Sequence, residues 1–426
     1  MKEKTIPSEK LPETLNKNTP KFSDAMAALK HRNFRLFWFG QCISLTGTWM
    51  QNMAQAWLVL ELTKSAFWLG VVTAVQFAPM LLFSLFAGTL VDRFPKRKML
   101  LFTQAGLALL ALILAADIWL HTVRLWHILI VAGFLGIFNT LDMPTRQAFI
   151  IELVGPRDLM NAIVLNSAIF NGARVLGPSL AGLAIAKLGI DVCFFLNALS
   201  FLPVIAGIAS IRVKNEYAPP VITDRKGFLC EIRTGISFVK HTPGIMVPIS
   251  ILVIISIFTM NFNVIVPLFA KNVFHQGAQG FGFLMSASGL GALLGSVVLA
   301  VKSARLPRLR TLIAAALGIC LFELLLAPEK IYGLAYLCLV FVGVSLITFT
   351  TTCNSIIQLQ TPNHLRGRVM SIYTLVFAGF APIGSLLAGT VANALGAPVT
   401  MGLLAGSGFV LILTIVIRNR AMLSEM

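Results

Sequence analysis

The sequence has few charged residues, and acidic residues are the scarcer sign. Asp, Glu, Lys and Arg together make up 12% of the 426 residues, whereas soluble proteins carry about 25%. Hydrophobic residues make up 57%, and the mean hydropathy is +0.84. Such a chain has too little charge to cover a surface in water, so we interpret it as an all-α, multi-pass membrane protein.

Cysteine and histidine number six each, and neither type forms a spaced group. No C-x-x-C pair is present, which argues against a disulfide framework or a zinc site. We therefore expect no metal and no cofactor. The sequence also has no G-x-x-x-x-G-K-[ST] phosphate loop, so we expect no ATP-driven motor, no catalytic residues and no enzymatic activity.

Basic residues outnumber acidic ones by 34 to 17, which gives a net charge of +17. With the spans predicted below, nearly all of these cations fall in loops on one side. The other side carries Lys64, Arg124, Lys187, Lys271 and Lys330. Because cytoplasmic loops are rich in Lys and Arg, both chain ends are predicted to be cytoplasmic. Topology explains the charge without a nucleic-acid partner.

Twelve apolar runs are long enough to cross the hydrocarbon core of a bilayer. They are residues 36–60, 67–90, 98–119, 125–149, 162–187, 190–211, 245–270, 280–301, 310–327, 331–358, 367–393 and 398–417. A polar arm at 1–35 precedes them and a tail at 419–426 follows. The polar linker at 212–244 separates an N-terminal half, 36–211, from a C-terminal half, 245–418. Apolar residues at helical spacing predict an interfacial helix within this linker; they are Leu229, Ile232, Ile236 and Val239.

The two halves share sequence matches at nearly constant spacing. Gly70 matches Gly282 about 212 residues later, and Gly182 matches Gly389 about 207 residues later. Repeated matches in the same order predict an internal duplication, which is common in transporters.

A tight charged hairpin joins the second and third runs, and it extends from Gly88 to Lys98. Its carboxylate, Asp92, lies at a predicted helix end, where a cation or a helix N-terminus would stabilise it. The neighbouring Arg93 and Arg97 either act with Asp92 or set the topology alone.

These features together resemble the major facilitator superfamily, although its loop motif normally has Gly where this chain has Pro95. The fifth run is similar to the antiporter motif of that family, with Ala181 in place of a Gly. The motif residues are Gly172, Arg174, Gly177, Pro178 and Gly182. Several short runs within 144–202 are similar to the bacterial branch that contains the enterobactin exporter.

The resemblance implies a gate and a coupling ion. In the family, the hairpin Asp reaches the start of helix 11 when the cytoplasmic side is closed, and that start is Gly367-Arg368 here. Asp92 is therefore predicted to latch the outward-facing state. The antiporter-like motif implies proton-driven export, while close packing of small residues explains the same glycines.

Arg174 is the single cation within a predicted span, and a charge there needs a partner. Asp142 and Glu152 are the expected partners. Three acids are candidates for proton coupling, in the order Asp142, Glu152 and Glu323. The alternative for Asp142 is a salt bridge with Arg146, four residues later. The alternative for Glu323 is a position that faces lipid or packs against a neighbouring helix.

We expect a substrate cavity between the halves near the membrane midplane. The candidate lining combines amides, hydroxyls and aromatic rings, and its members are Ser44, Thr48, Asn52, Gln55, Asn261, Asn263, Tyr373, Phe377 and Phe380. Such a lining suits a bulky amphipathic compound. Contacts between helices and ordinary core packing are the alternative.

These observations predict a secondary exporter of siderophore-like or drug-like molecules in the bacterial inner membrane. We expect alternating access, protons as the coupling ion, the lipid bilayer as the surroundings and a monomer as the working form. There are three alternatives: an importer of a sugar or organic acid, a lipid flippase, and a membrane sensor without transport activity, against which the intact loop motif argues.

Overall fold

The computed structural model describes residues 26–211, 234–301, 308–362 and 365–419, with the backbone alone at 85–89, 92–93 and 300–301. Within those ranges the regular structure is helical. The N-terminal arm, most of the linker and the tail, including Leu229 and Ile232, lie outside the described residues.

Twelve helices cross the predicted membrane, and the prediction of a major facilitator fold in two six-helix halves is confirmed. They are α1 (Arg32–Thr63), α2 (Ala66–Arg93), α3 (Lys96–Trp119), α4 and α5 (together Leu125–Leu188), α6 (Ile190–Ser210), α7 (Pro243–Val273), α8 (Ala278–Val301), α9 (Leu309–Leu326), α10 (Tyr332–Gln360), α11 (Arg366–Leu395) and α12 (Ala397–Arg418). Among the described residues, ten continuous helical stretches are long and apolar enough to span a bilayer. The 64-residue helix is one of these ten but crosses twice, as α4 and α5, which gives eleven crossings. The α1 helix, which carries polar residues, adds the twelfth.

The helical backbone is broken at three places, one between two spans and two within a span. Gly155 has φ 69° and ψ 177°, and this conformation, which glycine adopts readily, separates α4 from α5. The α7 helix stops at Phe258 and resumes at Phe262. The α11 helix breaks at Phe380, just before Pro382.

The membrane side where α1 begins is called the linker side, and the side where α1 ends is called the opposite side. The linker contributes a short helix at 234–241. An added Cβ at Gly235 would lie 3.3 Å from Arg368 Cβ, so this helix lies against the linker-side end of α11. Val239 is buried and Ile236 is exposed.

Buried apolar residues form two clusters within the described residues. The first fills the N-terminal half and continues into the opposite-side ends of α7, α8 and α11. The second stays within the C-terminal half, in its linker-side part around α7, α9 and α10. The halves therefore share one apolar core at the opposite side and have separate cores toward the linker side.

Candidate functional site

A cavity of about 20 Å³ lies between α1, α2 and α7, where the two halves meet. Its polar lining residues are Asn52, Gln55, Thr73, Gln76 and Asn263. Gln55 Nε2 donates to Gln76 Oε1 at 3.1 Å, and Gln76 Nε2 donates to Asn52 Oδ1 at 3.4 Å. Gln55 Oε1 is buried and accepts no hydrogen bond from the described residues. The cavity thus presents uncharged donors and acceptors, one of which is unused.

The structure brings together three of the predicted cavity residues: Asn52, Gln55 and Asn263. It adds Thr73 and Gln76, which the sequence analysis missed. Their spacing of three residues within an apolar run places both on one face of α2. That spacing is the signal by which they could have been found.

The other cavity candidates lie elsewhere. Ser44 is buried, and its carbonyl accepts a hydrogen bond from Thr48 Oγ1 at 2.9 Å. The Tyr373 ring is buried and lies parallel to Phe377, with centroids 6.0 Å apart. Phe380 packs with Phe377 against the core of the C-terminal half. None of these five α1 and α11 side chains lines the amide cavity.

Two glycines of the α5 motif, Gly177 and Gly182, occupy helix contacts. Gly177 faces α1, where an added Cβ would lie 2.9 Å from the Thr46 carbonyl oxygen. Gly182 faces α8 in the other half, at 2.8 Å from the Ala278 carbonyl oxygen. The Pro178 carbonyl closely approaches Gly282, whereas Gly172 has open space around it. The motif therefore packs α5 between α1 and α8.

Arg174 lies beside this contact and has no acidic partner in the described part of the chain. Its guanidinium carbon lies over the Trp49 ring, 5.8 Å from the centroid. The expectation of an ion pair with Asp142 or Glu152 is wrong, because both acids are paired with other cations.

Asp142 forms a buried polar cluster in the N-terminal half. Its Oδ1 accepts hydrogen bonds from Thr103 Oγ1 at 2.8 Å and Gln104 Nε2 at 2.7 Å. Its Oδ2 forms a salt bridge with Arg146, which also donates to Gln41. The alternative pairing with Arg146 is therefore confirmed, and every carboxylate oxygen of Asp142 is occupied.

Glu152 pairs with Lys96, with Nζ and Oε1 3.5 Å apart. This bridge joins α4 to the start of α3 near the linker side. The Glu152 side chain is about one-third exposed, so this pair differs from the enclosed cluster around Asp142.

Glu323 is only 3% exposed, and its Oε1 is buried without a hydrogen-bond partner among the described residues. It lines a cavity of about 10 Å³ that also contacts Thr259 and Asn261, at the break in α7. Met401 and Leu404 of α12 close the cavity. The alternative of a lipid-facing position is wrong, because α7 and α12 enclose this carboxyl group.

The hairpin is only partly described. The side chains of Asp92 and Arg93 lie outside the described residues, and Gly88 is described by its backbone path alone, so the latch remains a prediction. Arg97 donates to the carbonyl oxygens of Ile208 at 3.0 Å and Ala209. These bonds cap the end of α6 and give Arg97 a structural role within the N-terminal half.

At the other end of the predicted latch, an added Cβ at Gly367 would meet nothing within 4 Å. Arg368 lies beside the short linker helix.

Comparison with known proteins agrees with this architecture. The family profile described as transmembrane secretion effector matches residues 23–426. The chain belongs to this family of the major facilitator superfamily. It is 25% identical to the staphyloferrin A transporter of Staphylococcus aureus over 374 residues, which covers 85% of this chain and 90% of the relative. It is 27% identical to the multidrug efflux pump Tap of Mycolicibacterium fortuitum, over 87% of this chain and 92% of the relative.

Solved structures show the same fold at low sequence identity. The nucleoside transporter NupG superposes with a TM-score of 0.69 at 13% identity, and the match covers 91% of this chain and 98% of that one. This family member is therefore a multi-pass membrane protein of a transporter superfamily.

Proposed function

We propose that this protein is a secondary active exporter of the bacterial cytoplasmic membrane, moving small amphipathic molecules by alternating access in exchange for protons. The names of its relatives support export of siderophore-like or drug-like compounds. The distribution of Lys and Arg supports a cytoplasmic linker side.

The shared apolar core at the opposite side is the observation that supports substrate entry from the linker side. Trp57 of α1 stacks on Phe281 of α8 there, with ring centroids 5.8 Å apart. Ser65 Oγ donates to Asn393 Oδ1 at 3.0 Å, again between the halves. With that side closed, we expect the amide cavity to be reached from the linker side, as an exporter requires when it loads substrate.

Glu323 is the best-supported coupling group. A charged carboxylate in an apolar enclosure without partners is costly, so Glu323 is expected to hold a proton in this conformation. Movement at the α7 break would expose or repack it, because Thr259 and Asn261 share its cavity. Asp142 is a weaker candidate, since losing its charge would leave Arg146 unpaired.

The test uses everted membrane vesicles with an acidic interior. We expect accumulation of a catecholate siderophore or a lipophilic cationic dye, and its loss in Glu323→Gln. The matched control is Glu329→Gln, because Glu329 lies in the exposed loop that follows α9. No accumulation by correctly inserted wild-type protein would favour the importer or the lipid flippase. Full accumulation by Glu323→Gln would exclude Glu323 as the coupling site.

A further inference from the structure

Arg174 is a cation within a membrane span, and the described residues leave its charge uncompensated. Among the described residues, no Asp or Glu oxygen lies within 4 Å of its side-chain nitrogens, and its guanidinium donates no hydrogen bond. A cation within a span is expected to pair or to face a water-filled cavity. Stacking on one ring, as Arg174 does on Trp49, leaves the five N–H groups of the guanidinium free to bind a ligand.

The cleft is the space where α1 and α5 of one half meet α8 of the other half. The three candidate acids for proton coupling are engaged elsewhere. Asp142 is paired with Arg146, and Glu152 is paired with Lys96. Glu323 lies in a separate cavity within the C-terminal half. The counter-charge for Arg174 is therefore not supplied by these side chains.

Helix geometry places Arg174 at the cleft between the halves. Its side chain extends to Trp49 of α1. Its carbonyl oxygen lies 2.9 Å from the position of an added Cβ at Gly289 of α8. The residue thus lies between a helix of its own half and a helix of the other half, and its side chain is partly accessible.

The amide cavity lies one helical turn away. Trp49 and Asn52 are three residues apart on α1, which corresponds to about 4.5 Å along the helix axis. They lie about 60° apart around that axis, since successive residues rotate by about 100°. A single small molecule could therefore contact the guanidinium, the indole ring and the amides together.

We propose that Arg174 binds the anionic group of an exported substrate, so that the substrate class includes aromatic or catecholate compounds bearing a carboxylate. The planar guanidinium suits two-point binding of a carboxylate. Trp49, whose ring also makes an edge contact with Phe170, adds aromatic surface, and the amide cavity offers uncharged donors and acceptors. This inference rests on the proposed export function for its physiological meaning, but the binding site can be tested separately.

The first experiment measures binding to purified protein by quenching of tryptophan fluorescence. The probes are 2,3-dihydroxybenzoate and its neutral carboxamide. We expect Arg174→Gln to weaken binding of the carboxylate at least tenfold and to leave the carboxamide within about twofold. Arg174→Lys should retain an intermediate affinity, and Lys187→Gln at the exposed end of the same helix should match the wild type.

Unchanged carboxylate affinity in Arg174→Gln, or no carboxylate binding by the wild type, would overturn the anion site. An equal loss for both probes would also overturn it, since that result indicates a structural role. The second experiment measures vesicle accumulation of the same carboxylate. Binding without accumulation would refute the exporter and keep the anion site, which separates the two proposals.

Discussion

Gly182 of α5 and Gly282 of α8 face each other across the two halves, and a Cβ added to Gly282 would lie 3.1 Å from the Gly182 Cα atom. Gly70 of α2 and Gly389 of α11 form the equivalent contact, at 2.9 Å for a Cβ added to Gly389. These are the glycines that match between the halves in sequence. The duplication therefore supplies both close contacts of the opposite side.

Gly282→Ala and Gly389→Ala should each separate the halves at the opposite side, because the new methyl group meets backbone atoms of the facing helix. Spin labels on the exposed Lys187 and Gln276 would report the distance between α5 and α8. We expect a longer mean distance in both variants. Gly402→Ala, whose nearest neighbour lies at 3.7 Å, is the control, and unchanged distances in both test variants would contradict the packing role.

Trp57 should stabilise the closed opposite side. It stacks on Phe281, lies 5.7 Å from Lys271 Nζ, and donates from Nε1 to Glu61 at 2.6 Å. Trp57→Ala loses an aromatic pair and a cation–π contact, together about 1–2 kcal/mol, so the open population should rise about tenfold in the same distance measurement. Trp126→Ala, at an exposed ring, should have no such effect. An equal rise in the open population of both variants would argue against a specific role of Trp57 in closing the opposite side.

Asp142→Asn should destabilise the fold more than Glu152→Gln. The first change leaves Arg146, whose side chain is only 17% exposed, without its counter-charge, at a cost of about 3 kcal/mol. The second breaks a partly exposed bridge, for which about 1 kcal/mol or less is expected. Thermal unfolding in detergent measures the difference. A wild-type melting temperature for Asp142→Asn together with lost transport would instead indicate a coupling role.

Asp92→Asn should abolish vesicle accumulation while membrane insertion stays intact, because the latch requires the carboxylate charge. Lys98→Gln removes one exposed cation from the same hairpin and should retain transport. Western blotting of membranes measures insertion, and the vesicle accumulation assay measures transport. Near-normal export by Asp92→Asn would exclude the latch.

Pairing between distant helices was the main feature that sequence reasoning could not predict. Asp142 and Arg146 are four residues apart, so a helical periodicity was enough to name that bridge as an alternative. Thr103 and Gln104, which complete the cluster, lie on another helix. No local pattern identifies such partners, because they depend on how α3 packs against α4.

The sequence by itself determined the twelve spans, the division into halves and the repeated glycines, because run length and periodicity follow directly from the demands of a bilayer on each helix. Only the tertiary structure decided which polar groups are paired. It enclosed Glu323 between α7, α9 and α12, left Arg174 stacked on Trp49 at the cleft, and brought Gln76 to Asn52. These outcomes depend on the relative rotation and depth of separate helices, which residue order along one helix does not specify.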